Sequence, residues 1–364
     1  MNEQLLDHKE FGVTLDLFHE WRAPRFGQVN PTRMDNKLWE WLIRTRLGAY
    51  QAKKVLGDPS ISAGEPTWSF DRFGQTSTTL PDGRTIFIGG EHEDYYDPDF
   101  CIYNDVVVVN PDESVEIYGY PEHVFPPTDF HTSTRLGNTM LVIGNLGYRD
   151  KRLIGATQLL ALNLDGFEIE QVRTTGTAPG WLHQHTAKLV DDGEAILITQ
   201  GKLYAGQDRS LIENIDDWKL HLDDWRWERL TERRWARWEV RRSDRSPNHL
   251  WNMRQALFDR NMKWHDSYLE SIERIAAEIG KEPDIDLIAD LYRPGLPHEN
   301  VPREEYNVFQ IAIEGVTVRY VEDLYSIQVT VEGTLPENII AELKSDLLEK
   351  LATLENAPCE VEMI

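Results

Sequence analysis

The sequence predicts a mainly β protein: an array of repeated four-stranded units with helical flanks and a small α+β unit at the C-terminal end. Three observations predict this fold class. One stretch of sequence occurs three times at a nearly constant spacing, each copy holds a short apolar run bounded by turn residues, and apolar residues at helical spacing lie before and after the copies. Periods of this length are typical of stacked or radial arrays of small supersecondary units.

The three copies span Gln75–Gly90, His131–Asn145 and His185–Gly201, and their first residues lie 56 and then 54 positions apart. Each copy begins with His or Gln followed by Thr, passes through a turn and continues into an apolar run such as Leu141–Ile143. A short run of this kind, rich in β-branched residues, predicts a strand buried on both faces. Glycine at or near the end of the run, for example Gly144, allows a neighbouring backbone to come close.

Two further strands are predicted after a polar loop in every copy. The last strand of each unit alternates apolar and polar residues, as a half-exposed outer strand does. The predicted third and fourth strands are Val106–Asn110 with Val115–Tyr118, Leu159–Asn163 with Phe167–Glu170, and Trp218–His221 with Trp225–Trp227.

Over residues 65–231 the unit resembles a kelch repeat, the four-stranded blade of a kelch β-propeller. The resemblance rests on the His-Thr entry, the apolar run into glycine, the Asn104-Asp105 step before the third strand, and the aromatic residues Trp225 and Trp227. The double glycine of the first copy becomes Gly144-Asn145 and Gln200-Gly201 in the later copies. Three blades are fewer than the four to eight of usual propellers. The resemblance therefore implies a partial propeller that flanking strands complete, or an open array that other segments cover, with closure by oligomerisation as a third option.

The flanks divide into three segments. Residues 1–64 form a helical extension, in which Thr32 and Asp35-Asn36 offer caps and apolar residues recur at helical spacing from Leu38 to Tyr50. Residues 232–303 read as a helical segment followed by a linker rich in proline. Residues 304–364 predict three strands, a helix beginning at Pro336 and a last strand at Cys359–Met363. From residue 301 onward 13 acidic residues face 4 basic ones, and we expect a docking or dimerisation element there.

Composition narrows the class of function. The 364-residue chain has 62 acidic and 38 basic residues and a formal charge of -24, which disfavours non-specific binding to nucleic acid or an anionic membrane and suits a partner with a basic face. Cys101 and Cys359 lie too far apart for a disulfide framework or a metal knuckle, so a reducing compartment, the cytoplasm, is expected. No signal peptide and no membrane span are predicted.

The loop after the second strand of the first copy is strongly acidic. Oxygen ligands suit hard divalent cations, but the ligand order fits no calcium-loop template, and a solvated acidic loop is the favoured interpretation. The acidic and histidine side chains of this loop are Glu91, His92, Glu93, Asp94, Asp97 and Asp99.

Three histidines, His131, His183 and His185, form a second candidate site, in this case for a metal ion. His183 and His185 are two residues apart on a predicted strand, and zinc sites use such pairs. However, His131 and His185 occupy the same repeat position, which Gln75 fills in the first copy. A structural role in the repeat explains this equivalence better than a metal does. The metal alternative would draw on Glu91, His92 and these three histidines.

A third candidate is the segment Trp225–Arg242, in which tryptophan and arginine alternate. Between residues 225 and 245 eight arginines face four acidic residues. Such a pattern can stack bases or hold a phosphate, but it can equally brace the edge of a propeller, and we favour bracing.

These observations predict a cytoplasmic binding module without catalysis or cofactor. Loops 91–104, 145–157 and 202–216 would form its surface for a protein partner with a basic face, for example a basic toxin, a nuclease or a regulatory protein. The residues expected in contact are Glu91, His92, Asp94, Tyr95, Tyr96, Arg149 and Tyr204. The alternatives are a metal-dependent enzyme and an assembly protein that closes its ring by oligomerisation. Kelch folds also occur in a copper radical oxidase, whose chemistry needs a tyrosine crosslinked to cysteine and histidine ligands. Only Cys101 and the nearby Tyr103 match this requirement, and nothing else in the pattern supports it.

Overall fold

The computed structural model describes residues 7–58, 66–94, 97–206, 211–302 and 305–364; the side chains of residues 94 and 97–99 lie outside this description. The chain divides into two compact units, Met1–Glu232 and Arg233–Ile364. Strands hold 31% of the residues and helices 24%, so the protein is mainly β with several sheets, as predicted.

Three helices are described in the N-terminal part of the first unit: α1 (Leu15–Trp21), α2 (Lys37–Thr45) and α3 (Ala49–Leu56). The side chain of Asn36 caps α2, because its Oδ1 accepts a hydrogen bond from the backbone N–H of Trp39 at 2.9 Å. The single helix predicted as far as Tyr50 is wrong, since α2 ends where Arg46 adopts a left-handed conformation with φ 58°. The chain then starts again at α3.

Nineteen strands of the first unit are described. In chain order they are β1 (Thr32–Arg33), β2 (Thr76–Thr79), β3 (Thr85–Ile88), β4 (Glu91–Asp94), β5 (Asp97–Ile102), β6 (Asp105–Val109), β7 (Val115–Gly119), β8 (Thr132–Leu136), β9 (Thr139–Ile143), β10 (Leu159–Asn163), β11 (Ile169–Gln171), β12 (Thr175–Gly176), β13 (Leu182–His183), β14 (Thr186–Val190), β15 (Ala195–Thr199), β16 (Lys202–Leu203), β17 (Ile212–Glu213), β18 (Trp218–His221) and β19 (Arg226–Arg229).

Each repeat forms one antiparallel meander of four strands. The orders are β2-β3-β6-β7, β8-β9-β10-β11 and β14-β15-β18-β19. The first gains β1 beside β7, and the third gains β12 beside β19. Two small sheets, β4-β5 and β13-β16-β17, lie outside the meanders. The strands predicted from the repeats are therefore confirmed.

The second meander is buried on both faces, as its continuous apolar runs predict. Met140 and Val142 belong to one apolar core with Ile86 and Val108 of the first meander. Residues on the opposite face belong to a second core with the third meander, which includes Leu141, Ile143, Leu159, Ile196, Ile198, Trp218, Leu220 and Trp227. The three sheets are thus successive layers, and two apolar cores hold them together.

The outer faces of the two end meanders differ. Residues of α1 and α2, with Trp39 stacked on Trp68 at 4.8 Å between ring centres, share an apolar core with Val107 and Ile117 of the first meander. On the third meander the corresponding face is mostly polar, because the row of residues across its four strands is Lys188, Leu197, Lys219 and Glu228. No closed propeller is found among the described residues, and the missing apolar face on the third meander gives the physical reason.

The second unit is one antiparallel six-stranded sheet with four helices. Its strand order is β21-β22-β23-β24-β20-β25. Its elements are β20 (Arg237–Arg242), α4 (Leu250–Asn261), α5 (His265–Ile279), α6 (Ile285–Ala289), β21 (Glu299–Val301), β22 (Val308–Ile313), β23 (Val316–Glu322), β24 (Ser326–Val331), α7 (Glu337–Glu355) and β25 (Cys359–Met363).

Two features of this unit differ from the sequence prediction. Residues 233–302 and 305–364 belong to one unit, because β20 pairs with β24 on one side and β25 on the other. The proline-rich segment predicted as a linker carries β21, which pairs with β22. The core contains Trp238 and Val240 of β20 together with Leu343 and Leu347 of α7. No helix among the described residues is long and apolar enough to cross a membrane.

Candidate functional site

The histidines at the start of the repeats connect one meander to the next. Nε2 of His131 is 2.8 Å from the Thr76 hydroxyl, and Nε2 of His185 is 2.9 Å from the Thr132 hydroxyl. The residue before each histidine adds a backbone bond, since the N–H of Phe130 donates to the Gly74 carbonyl and the N–H of Gln184 donates to the Phe130 carbonyl. These repeated bonds give the entry histidines a structural role.

Both entry histidines are buried, with 5% of His131 and 6% of His185 exposed. Burial lowers the pKa of His131 to about 3, with a further contribution from His185, and lowers the pKa of His185 to about 4. A neutral imidazole is therefore built into each junction. In both rings Nδ1 has no hydrogen-bond partner among the described residues.

His183 does not lie on one strand with His185, contrary to the sequence prediction. The intervening Gln184 has φ 53°, so the chain turns between β13 and β14. His183 is 1% exposed, and burial, followed by the charges of Lys202 and Arg152, lowers its pKa to about 3.

The metal candidates are not brought together in the part of the chain that is described. There, no group of three or more His, Cys, Asp or Glu residues is arranged to hold a metal ion. Nδ1 of His92 is 3.0 Å from the Asp71 carbonyl, and the main chain of Glu91 exchanges two hydrogen bonds with that of Phe73. Tyr95, Tyr96 and the side chains of Asp94, Asp97 and Asp99 lie outside the described residues.

Loops that follow the second strand of each meander contact one another. The first loop carries β4 and β5, and the second begins after β9. The backbone N–H of Ile102 in the first loop donates to the Tyr148 hydroxyl in the second at 2.9 Å, and the ring of Phe100 meets the Tyr148 ring edge-on at 5.8 Å.

The second loop is joined in turn to the residues around β13 and β16. The indole N–H of Trp181 donates to the Leu146 carbonyl at 2.9 Å. Within the second loop, Arg152 donates to the carbonyls of Leu146 and Gly147, both at 3.0 Å. Its guanidinium also reaches the third loop, where it lies 5.8 Å from the centre of the Tyr204 ring. Three loops from three meanders therefore form one continuous surface.

Apolar side chains project from this surface. Phe100 is 46% exposed, Leu153 60% and Ile154 72%. Together with Arg149, which lies in the short 3-10 turn just before Leu153, they are called the loop surface below. Only Arg149 was predicted from the sequence. An apolar pair, Leu153-Ile154, between a basic dipeptide and a glycine is the signal that could have identified the others.

Beneath the loop surface lies a buried carboxylate, Asp129. Its Oδ1 accepts a hydrogen bond from the Gly147 N–H at 2.7 Å, but burial raises its pKa above the usual range. Burial also raises the pKa of Glu91, with further contributions from the charges of Asp129 and Glu93. The carboxylates of this region are thus held close to one another and partly removed from water.

Two further predicted residues are found beneath the surface. Tyr204 is 8% exposed and its backbone N–H donates to the Trp181 carbonyl, so it supports the third loop. Tyr103 is also buried, with the Arg72 guanidinium 3.5 Å from its ring centre and its hydroxyl bonded to the Ser69 N–H at 3.0 Å. Cys101 is in no disulfide with another described residue.

The arginine-rich segment is divided between the two units. Arg229, at the end of β19, pairs with Asp216 and braces the third meander, in line with the prediction. Arg241, in β20, pairs instead with Glu239 and Glu360 of the second unit, because the segment alternates polar and apolar residues and forms a strand of that sheet.

A scan against models of protein families finds no match to the chain, and a search of curated proteins finds none either.

Proposed function

We propose that this protein is a non-catalytic binding module that presents the loop surface to a protein partner. One observation carries the proposal: loops from three separate meanders contact one another, and these joined loops expose Phe100, Leu153 and Ile154. Exposed apolar side chains grouped on a rigid frame are typical of protein interaction sites. Loops on a scaffold of strands are also where binding residues are most often found.

The finer fold belongs to the same proposal. The three meanders are interpreted as kelch-like blades, since each has the same strand order and the same His-Thr junction joins successive sheets. The polar outer face of the third meander favours an open stack over a closed ring within one chain. Closure by a second copy is the remaining alternative, and the mass of the protein in solution tests it.

The proposed partner has a basic surface. The chain carries a net charge of -24, and Glu91 and Glu93 lie in the first loop, so electrostatic attraction would accelerate encounter with a basic protein. A basic toxin or a regulatory protein fits this description. The proposed location is the cytoplasm, in keeping with the lack of a disulfide at Cys101 and Cys359 in the described part of the chain.

Affinity capture with the tagged full-length protein tests the proposal. Ile154→Asp places a charge at the most exposed apolar residue of the loop surface, whereas Leu189→Asp places one near the turn at the opposite end of the third meander. We expect a partner that elutes as salt is raised, is lost with I154D and is retained with L189D. Equal capture by both variants would refute the assignment of the surface.

The metal-dependent enzyme remains the alternative function. It would use the acidic loop 91–99 with His131, His183 and His185. Elemental analysis of the purified protein separates the two proposals, because stoichiometric bound metal would support the enzyme.

A further inference from the structure

A group of exposed residues, three aromatic and one aliphatic, lies in the second unit, apart from the loop surface in sequence. It consists of Trp251 at the start of α4, Tyr306 just before β22, and Leu324 and Tyr325 in the turn between β23 and β24. Their exposed fractions are 64%, 73%, 53% and 44%. These four residues are called the aromatic corner below.

The three chain segments of the corner are fixed to one another by hydrogen bonds. The backbone N–H of Asn248 donates to the Leu324 carbonyl at 2.8 Å, and its side-chain amide donates to the Asp323 carbonyl at 2.8 Å. The side-chain amide of Asn307 donates to the Glu322 carbonyl at 2.9 Å, and the Glu322 N–H donates back to the Asn307 carbonyl. The exposed rings therefore stand on a frame that does not have to be ordered when a ligand binds.

The rings themselves are arranged for contact with a ligand. Trp251 and Tyr306 meet edge-on, with ring centres 5.8 Å apart and planes at 82°. Such a pair leaves faces of both rings open to solvent, and aromatic faces attract cations. Large aromatic residues also dominate the energetics of protein interfaces.

Two carboxylates adjoin the corner in the sequence. Glu305 precedes Tyr306, and Asp323 precedes Leu324. In the described part of the chain no ion pair involves either carboxylate. Arg254, one turn further along α4, does not compensate them, because it is paired with Glu322 and stacked over Phe309 at 4.1 Å.

We propose that the aromatic corner binds a basic peptide segment of a partner protein, one in which lysine or arginine alternates with apolar residues. The cationic side chains would lie on the ring faces of Trp251 and Tyr306 and near the carboxylates of Glu305 and Asp323. The apolar side chains would cover Leu324 and Tyr325. Charge complementarity favours a basic occupant. An acidic or a lipid-like ligand would offer Glu305 and Asp323 no positively charged partner.

A random peptide library displayed on phage and selected on the full-length protein tests the proposal. The double variant Trp251→Ala/Tyr306→Ala is used for counter-selection: peptides that also bind this variant are discarded, because they bind elsewhere on the protein. We expect the remaining peptides to carry net positive charge. Enrichment of neutral or acidic peptides, or no enrichment over the double variant, would overturn the proposal.

An enriched peptide, synthesised with a fluorescent label, then measures the site directly. We expect binding to weaken about tenfold in W251A or Y306A and to be largely kept when both residues are replaced by phenylalanine, because the ring faces remain. Phe258→Ala, at another exposed aromatic residue of α4, should leave the affinity unchanged. Equal loss in F258A would contradict the assignment.

The same peptide separates this proposal from that of the loop surface. The I154D variant must bind the labelled peptide with the same affinity as the unmodified protein, even if this variant no longer captures the partner of the loop surface. Self-association through the corner would appear as a larger mass in solution that W251A reduces, and that result would also overturn the proposal.

Discussion

The histidine junctions make a quantitative prediction about acid stability. His131 and His185 are neutral and buried between successive meanders, and burial lowers their pKa values to about 3 and about 4 from an ordinary value of 6.5. Unfolding exposes these rings to water, where they bind protons more readily. The stability that they contribute is therefore fully present above pH 6.5 and is lost as the pH falls toward the folded-state values.

The magnitude follows from the difference between the two pKa values. At about pH 5 the solution is roughly 1.5 units below the unfolded-state pKa, and each unit is worth about 1.4 kcal/mol, so one such histidine costs about 2 kcal/mol of the free energy of unfolding. His183, whose pKa is also lowered to about 3, adds a similar cost. Together the three histidines are expected to lower the free energy of unfolding by about 6 kcal/mol between about pH 7.5 and pH 5.

Glutamine is the natural replacement, because Gln75 occupies the same repeat position in the first meander and its Nε2 donates to the Gly89 carbonyl. We expect the double variant His131→Gln/His185→Gln to keep only the contribution of His183, about 2 kcal/mol over the same pH interval. The carboxylates titrate alike in both proteins, so the difference between the two pH profiles isolates the junctions. His123→Gln, at an exposed histidine, is the control and should leave the profile unchanged.

Urea unfolding followed by tryptophan fluorescence measures the effect at each pH. The transition of the first unit is the one that the double variant shifts. If the unmodified protein and the double variant lose the same stability between pH 7.5 and pH 5, the entry histidines are not buried neutral groups and the reasoning fails.

Two further predictions concern packing. Gly144→Ala should cost more than about 2 kcal/mol of unfolding free energy, because a Cβ there would lie 2.4 Å from the Leu182 carbonyl at φ +78°. Gly137→Ala has a similar φ and open space around it, so urea unfolding should show a cost of only about 1 kcal/mol, and equal costs would contradict the close approach. Trp39→Ala removes a ring stacked on Trp68 and should cost about 3–5 kcal/mol in the same assay, whereas a loss below about 1 kcal/mol would show that α2 does not hold the first meander.

The repeat was visible in the sequence because its constraints are local. An apolar run between turn residues predicts a strand wherever it occurs, and all three runs lie within strands. The glycine positions also have a reason that the structure supplies. Gly89 and Gly144 lie against the carbonyl oxygens of Thr128 and Leu182, in the segments that lead into the next meander, whereas Gln200 occupies the corresponding place in the third meander, after which no further meander follows.

The second unit was harder to predict because its sheet depends on distant pairing. β20 lies between β24 and β25, which follow it by more than eighty residues, and nothing near Trp238 or Val240 in the sequence identifies these partners. The same segment is rich in arginine, and this composition led to the prediction that it braces the edge of the repeat array. The burial of Glu239 and Arg241 in a sheet is a tertiary effect that local patterns do not encode.

Part of the candidate site was predictable, and part was not. Its loops could be located, because they follow the apolar run of each repeat. Which side chains face solvent could not, since Tyr204 and Leu153 lie in comparable polar loops and only contacts with other loops bury the tyrosine. The predicted residues Tyr95 and Tyr96 lie outside the described part of the chain.

Site-specific photo-crosslinking inside cells tests the central claim most directly. A benzophenone amino acid placed at position 154 reports on the loop surface, and one at position 189 reports on the opposite end of the same unit. We predict one discrete crosslinked protein at position 154 and none at position 189. No adduct at position 154, or the same adduct at both positions, would contradict the proposal that the joined loops bind a partner.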